Sequence, residues 1–204
     1  MDITREQFIG FWGESGYQQV FDAGYDYGKS ISKILSETAS GKTVLEIGCG
    51  NGFWTEKFLV DKFEQIITVD LIEKPAAIAN CDKVKHIKLE CADYSLPGVK
   101  SRSIDFVWSF GVFCHFTNAA IDEYLKSIYR VMKKGGTAII MFANWERHPD
   151  FKGRAGVYGT DVEPFCGWTC TNLETTIDQV KRAGFIECRD IMEDFRDTLL
   201  IFKK

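Results

Sequence analysis

The chain has 204 residues, 45% of them hydrophobic, and 25 basic against 29 acidic side chains set a formal net charge of -4. That length suits one substantial core and is short for two, and the charge leaves no global field to gather phosphates, which disfavours a nucleic-acid partner. The seven cysteines stand singly, MDITREQF lacks the charged start and apolar core of a secretion signal, and no apolar run nears the roughly 20 residues of a membrane span.

Reduced thiols in a cytoplasm, no membrane partner and no metal site are therefore expected, with residues 1–204 forming one domain. Residues 1–40 carry Phe8, Phe11, Trp12, Tyr17, Phe21, Tyr25 and Tyr27. These aromatics either cover hydrophobic faces of the fold or form a lid on a small-molecule site, with Trp12, Tyr17 and Tyr25 the candidates to touch substrate. From Thr43 onward, short β-rich runs alternate with longer helix-compatible segments, the pattern of a parallel sheet with crossover helices. Strands are predicted at 43–47, 65–70, 85–90, 104–110 and 137–142. Between them, helices are predicted at 53–61, briefly around 75–80, and at 118–132, where Ile121, Leu125, Ile128 and Met132 recur at helical spacing. Lys133, Lys134 and Gly135 stop that last helix.

Residues 143–171 return to aromatics, Trp145, His148, Tyr158, Phe165 and Trp168, among Gly and Pro. As with 1–40, they either cover the core or line a site at the carboxyl ends of the strands. Trp145, Arg147, His148 and Arg154 are the substrate candidates here, the arginines for an anionic acceptor. A helix is predicted at 172–183, ended by Gly184, and strands at 185–192 and 198–202. Their connection is too short for a crossover helix, so this last pair should be antiparallel.

"VLEIGCGNGFW" at 44–54 places Gly48, Gly50 and Gly52 directly after the first strand. Glycines there permit a tight turn and let bare backbone approach a ligand. Asp70 ends the next strand, where a carboxylate can accept from both ribose hydroxyls of a nucleotide, and Asp93 in "ECADYS" follows the third. "SFGVFCH" at 109–115 follows the fourth and would face the same crevice. A dinucleotide fold carries GxGxxG, whereas GxGxG here puts Phe53 and Trp54 where the helix-packing glycine would fall. A pyrophosphate cradle, and with it a nicotinamide-dependent oxidoreductase, is the less natural reading.

"LEIGCGNG", "VD" at 69–70, "CADY" at 91–94, "SFGVFCHF" at 109–116, "VMKKGGTAIIMF" at 131–142 and "VKRAGF" at 180–185 together resemble the class I S-adenosylmethionine-dependent methyltransferases. The resemblance implies an α/β, doubly wound, seven-stranded, mostly parallel sheet with an antiparallel C-terminal hairpin and helices on both faces. In that scheme 43–142 is the cofactor-binding core and 172–204 the closing helix and hairpin, with 1–40 an N-terminal helical lid and 143–171 a substrate-side insertion.

The resemblance further implies S-adenosyl-L-methionine as cofactor and S-adenosyl-L-homocysteine as product. Glu46 would shape the loop in which Gly48, Cys49, Gly50 and Gly52 lie against the methionine and ribose. Asp70 and Leu71 would hold the ribose, Asp93 the adenine amino group, with Ala92 and Tyr94 flanking the ring. Ser109 and Phe110 would sit beside the sulfonium.

Methyl transfer from a sulfonium is an in-line displacement, so catalysis can rest on alignment, with a base only where the acceptor loses a proton. His115 is the candidate base. The Asn-Pro-Pro-aromatic pattern associated with exocyclic and amide nitrogen methylation is absent after the fourth strand, as is the Pro-Cys pair of cytosine methylation. A small-molecule acceptor, methylated on oxygen, is the expectation; methylation of an amine or carboxylate, or a non-catalytic cofactor-binding module, are the alternatives.

Overall fold

The computed structural model describes residues 27–90, 93–147, 171–193 and 197–204. Helix α1 (Tyr27–Thr38) precedes strands β1 (Thr43–Ile47), β2 (Gln65–Asp70), β3 (Val84–Lys88) and β4 (Ile104–Ser109). Helix α2 (Asn118–Val131), strand β5 (Met132–Phe142), helix α3 (Leu173–Arg182) and strands β6 (Ile186–Asp190) and β7 (Thr198–Lys203) complete it. The seven strands form one sheet in the order β3-β2-β1-β4-β5-β7-β6. β1 to β5 run parallel, and β7 is antiparallel to both β5 and β6. The expected fold class, hairpin included, is what forms.

Alternation along the strands sends side chains to two cores. Leu45, Ile47, Val107, Ala138 and Ile140 pack against Ile121, Leu125 and Ile128 of α2 and Val180 of α3. Val44, Phe106, Trp108, Ile139 and Met141 pack on the other face, against Ile31 and Leu35 of α1 and against Trp54 and Leu59. Hence the described part of the expected lid, α1, covers the sheet: Ile31 and Leu35 are fully buried.

Two elements differ from expectation for visible reasons. The segment predicted helical at 53–61 becomes a π-helical turn, Thr55–Leu59, in which the Val60 N–H reaches the Thr55 carbonyl. This wider turn buries Thr55 and Leu59 together. β5 begins five residues early: Met132 pairs with Ile104 of β4, while Gly135 N–H donates to the Lys204 carbonyl and Lys204 N–H to the Gly136 carbonyl. The pre-β1 end of the sheet is then tied by Asp105, whose Oδ2 accepts from the Lys42 and Thr43 N–H groups, each at 3.0 Å, while Lys133 Nζ donates to Oδ1 at 2.7 Å. Helices α2 and α3 are capped by Thr117 and Asn172, whose side chains accept from Ala120 N–H and Thr175 N–H.

Burial alone would raise the Asp105 carboxyl, but Lys133 and the two backbone donors hold it below the usual carboxylate range. A group depressed in the fold stabilises above its unfolded pKa of about 3.9, and that stabilisation is lost as pH falls through the folded value. Asp105→Ala should therefore lower the unfolding free energy at neutral pH by about 1–3 kcal/mol, with the gap to wild type closing on acidification. Urea titrations from pH 7 to pH 3 measure both, and a gap independent of pH would remove Asp105 as the clamp.

Candidate functional site

The strand order reverses between β1 and β4: β2 and β3 lie to one side, β5 to the other. At such a switch point the connections leave in opposite directions and open a crevice at the carboxyl ends. Two loops flank it. Residues 48–52 follow β1, and residues 110–117 follow β4.

The loops touch. A Cβ on Gly48 would come within 2.1 Å of Val112 Cγ2, and Gly48 has φ +74°. Only glycine meets both demands, the left-handed backbone and the approach of the post-β4 loop. Ser109, expected beside the sulfonium, is instead fully buried, its hydroxyl donating to the Ile47 carbonyl at 2.8 Å. It ties the end of β4 to the end of β1. Phe110 likewise turns into the core, its ring 4.9 Å from Trp54 and 5.9 Å from Trp108.

Asp70 ends β2 with 6% exposure. Its Oδ2 accepts from Gly50 N–H at 2.8 Å, and its Oδ1 from Leu71 N–H at 2.7 Å and Ile72 N–H at 3.4 Å. One carboxylate thereby holds both the glycine loop and the turn after β2. Burial raises the Asp70 carboxyl above its ordinary value, while those N–H donors and nearby His86 pull it back. A carboxylate offers about four acceptor directions; three are spent, which leaves capacity for a hydroxyl.

Glu46, one strand over, is 1% exposed. Thr55 Oγ1 donates to its Oε2, and its Oε1 has no hydrogen-bond partner among the described residues. Burial pushes it up to about 8, against the Thr55 hydrogen bond and with a further push from Asp70. Cys49 between them is 2% exposed, and burial drives its thiol far above the ordinary value, so it is no nucleophile.

The remaining expected residues lie on several elements. Asp93 and Tyr94 follow β3: Asp93 Oδ1 accepts from Ser95 N–H at 3.0 Å and Ser95 Oγ at 2.5 Å, and the Tyr94 ring packs 5.1 Å from Tyr124. His115 is half-buried at the end of a single 3-10 turn, Phe113–His115, its backbone N–H donating to the Val112 carbonyl at 3.0 Å. Arg147, expected to meet substrate, is committed elsewhere: it pairs with Asp190 Oδ2 at 2.6 Å and donates to the Met192 and Asp197 carbonyls. Trp145 is half-buried, with its N–H on the Thr171 carbonyl at 3.1 Å. Trp12, Tyr17, Tyr25, Ala92, His148 and Arg154 lie outside the described residues.

His86 was not among the candidates, yet it joins the site. On β3, in register with Thr68, it places Nδ1 2.9 Å from Thr68 Oγ1 and Nε2 3.0 Å from the Ile72 carbonyl, with Cys49 Sγ 3.9 Å from Nδ1. A carbonyl only accepts, so Nε2 carries the proton and, in the neutral ring, Nδ1 accepts from Thr68. Its only sequence signal is rarity, one of three histidines.

Comparison with known proteins finds a match to a family model described as a methyltransferase domain, over residues 45–140. Phosphoethanolamine N-methyltransferase 2 of Caenorhabditis elegans is 23% identical over 197 residues, covering 91% of this chain and 42% of that protein. The tRNA (carboxymethyluridine(34)-5-O)-methyltransferase of Mus musculus is 31% identical over 130 residues, covering 63% of this chain and 18% of its own length. The chain thus spans less than half the length of these curated relatives. Among solved structures, phosphoethanolamine N-methyltransferase 2 of Haemonchus contortus, in complex with phosphomonomethylethanolamine and S-adenosylhomocysteine, superposes with a TM-score of 0.67 at 21% identity, over 94% of this chain and 47% of that one.

A carboxyl whose pKa is raised in the fold keeps its proton there more tightly than in the unfolded chain. Its contribution is full below the unfolded pKa of about 4.3 and declines as pH rises towards the folded value. Wild type should lose stability between about pH 4.5 and pH 8, and Glu46→Gln, a fixed neutral mimic, should flatten that decline. Parallel denaturation curves over this range decide it; identical slopes would show Glu46 ionised throughout.

Proposed function

The chain carries the class I S-adenosylmethionine-dependent methyltransferase fold, and from that premise we propose that it methylates a small-molecule acceptor, on a hydroxyl oxygen as the first reading. The observation that carries the reading is the meeting of three parts at the switch point. The 48–52 loop, the Asp70 carboxylate and the post-β4 loop converge there.

The site's donors and acceptors suit the cofactor. Asp70 keeps an acceptor direction for ribose hydroxyls, and Glu46 Oε1 is a buried polar atom with no hydrogen-bond partner among the described residues, near a loop of bare backbone. Asp93 is placed by Ser95 after β3, where the adenine amino group would be read. When bound, S-adenosylmethionine supplies an activated methyl group whose sulfur leaves as a neutral thioether.

The chain's own part is alignment and exclusion of water. Val112 against Gly48 closes the floor of the crevice, and the Ser109–Ile47 hydrogen bond fixes the distance between its two walls. His115, three residues beyond Val112, is the group to take a proton from an acceptor hydroxyl. An acceptor amine is the second reading, supported by the likeness to phosphoethanolamine N-methyltransferase over most of this chain. The surplus of 29 acidic over 25 basic side chains supports a small acceptor over a tRNA.

Calorimetry should show binding of S-adenosylmethionine and S-adenosylhomocysteine and none of NADH; NADH binding alone would overturn the reading. Asp70→Ala should weaken cofactor binding by about 1–3 kcal/mol. A screen of hydroxyl and amine metabolites with labelled methyl donor, with tRNA as a competing substrate, identifies the acceptor class. On the acceptor so found, His115→Ala should cut turnover much more than cofactor affinity; unchanged turnover would leave alignment as the mechanism.

A further inference from the structure

His86, on β3 in register with Thr68, joins three of the parts that shape the crevice: β2 through the Thr68 hydroxyl, the turn after β2 through the Ile72 carbonyl, and the glycine loop through Cys49 Sγ. The Ile72 contact matters most. Residues 70–72 form the turn whose Leu71 and Ile72 N–H groups point back onto Asp70 Oδ1. The Ile72 carbonyl lies in the peptide unit just beyond the Ile72 N–H, so holding it anchors the far end of the turn whose N–H groups occupy Asp70 Oδ1.

We propose that His86 is a positioning residue for the ribose end of the cofactor site, acting through the Asp70–Ile72 turn. The proposal rests on the reading of this crevice as an S-adenosylmethionine site. The tautomer supports it: with Nε2–H donating to Ile72 and Nδ1 accepting from Thr68, both ring nitrogens are used and the ring has one orientation. An apolar residue of similar size would fill the space and strand the Ile72 carbonyl. A glutamine can donate an N–H to the same carbonyl.

A merely structural histidine would, when removed, weaken every ligand of the site alike. A positioning histidine acting on Asp70 weakens only ligands that use Asp70. Calorimetry on wild type, His86→Ala and His86→Gln, with S-adenosylhomocysteine and its 2′,3′-dideoxy analogue as probes, separates the two. For S-adenosylhomocysteine, His86→Ala should raise Kd about tenfold, the equivalent of one hydrogen bond to a charged group, and His86→Gln should stay within about twofold of wild type.

For the dideoxy analogue, wild type and both variants should bind alike, and in an Asp70→Asn background His86→Ala should cost nothing more. Should His86→Ala fail to fold, Thr68→Val removes the hydroxyl that holds the ring, and the same ligand-selective loss is expected. Equal weakening of both probes, or full additivity with Asp70→Asn, overturns the role given to His86 and leaves the cofactor reading intact. Wild type binding neither probe overturns the cofactor reading and His86 with it.

Discussion

A carboxylate with almost no exposure must be met by donors, and Asp70 draws its donors from the loops that build the site. Gly50 N–H comes from the loop after β1, and Leu71 and Ile72 N–H from the turn after β2. Satisfying one charge therefore fixes two loops. Neither can swing away without leaving a buried carboxyl short of its donors, a cost of about 1–3 kcal/mol. Glu46, one strand away and still deeper, meets the same constraint with fewer donors: Thr55 alone reaches it among the described residues, and burial pushes its carboxyl up to about 8, with a further push from Asp70.

The two ends of the sheet are finished by different chemistry. At the end away from the crevice, Asp105 gathers the starts of β1, β4 and β5 by direct hydrogen bonds. At the crevice, β1 and β4 are joined by the single Ser109 hydroxyl and then diverge. Below that divergence Trp54, Trp108 and Phe110 form a continuous aromatic floor on the α1 face, with centroids 4.9 to 5.9 Å apart. The pair Phe53-Trp54, which in the sequence argued against a dinucleotide glycine, has this packing role in the fold.

Local information was legible in the sequence and distant partnership was not. β1 and β2 begin and end where alternation and the flanking Gly and Asp place them, since each signal lies within a few residues of the element it shapes. The closing hairpin followed from the length of its connection alone. By contrast, Ser109 and Arg147 have chemistry that suits a ligand equally well, and what commits them to the fold is a carbonyl and a carboxylate 62 and 43 positions away. His86 was missed for the same reason: its partners Thr68, Ile72 and Cys49 come together only when β3 takes its place at the sheet edge. The early start of β5 depended on Ile104 and Lys204, which no local reading of Met132 to Gly136 could supply.

Trp145 and Thr171 share a backbone hydrogen bond, Asn172 Nδ2 donates to Glu146 Oε1 at 2.9 Å, and Arg147 fastens the same stretch to the β6–β7 connection. The chain thus leaves the sheet after β5 and rejoins it before α3 at one pinned gate. Residues 144–147 and 171–172 are thereby held to each other and to the β6–β7 connection by bonds of their own, so the exit from β5 and the entry to α3 are fixed as one unit.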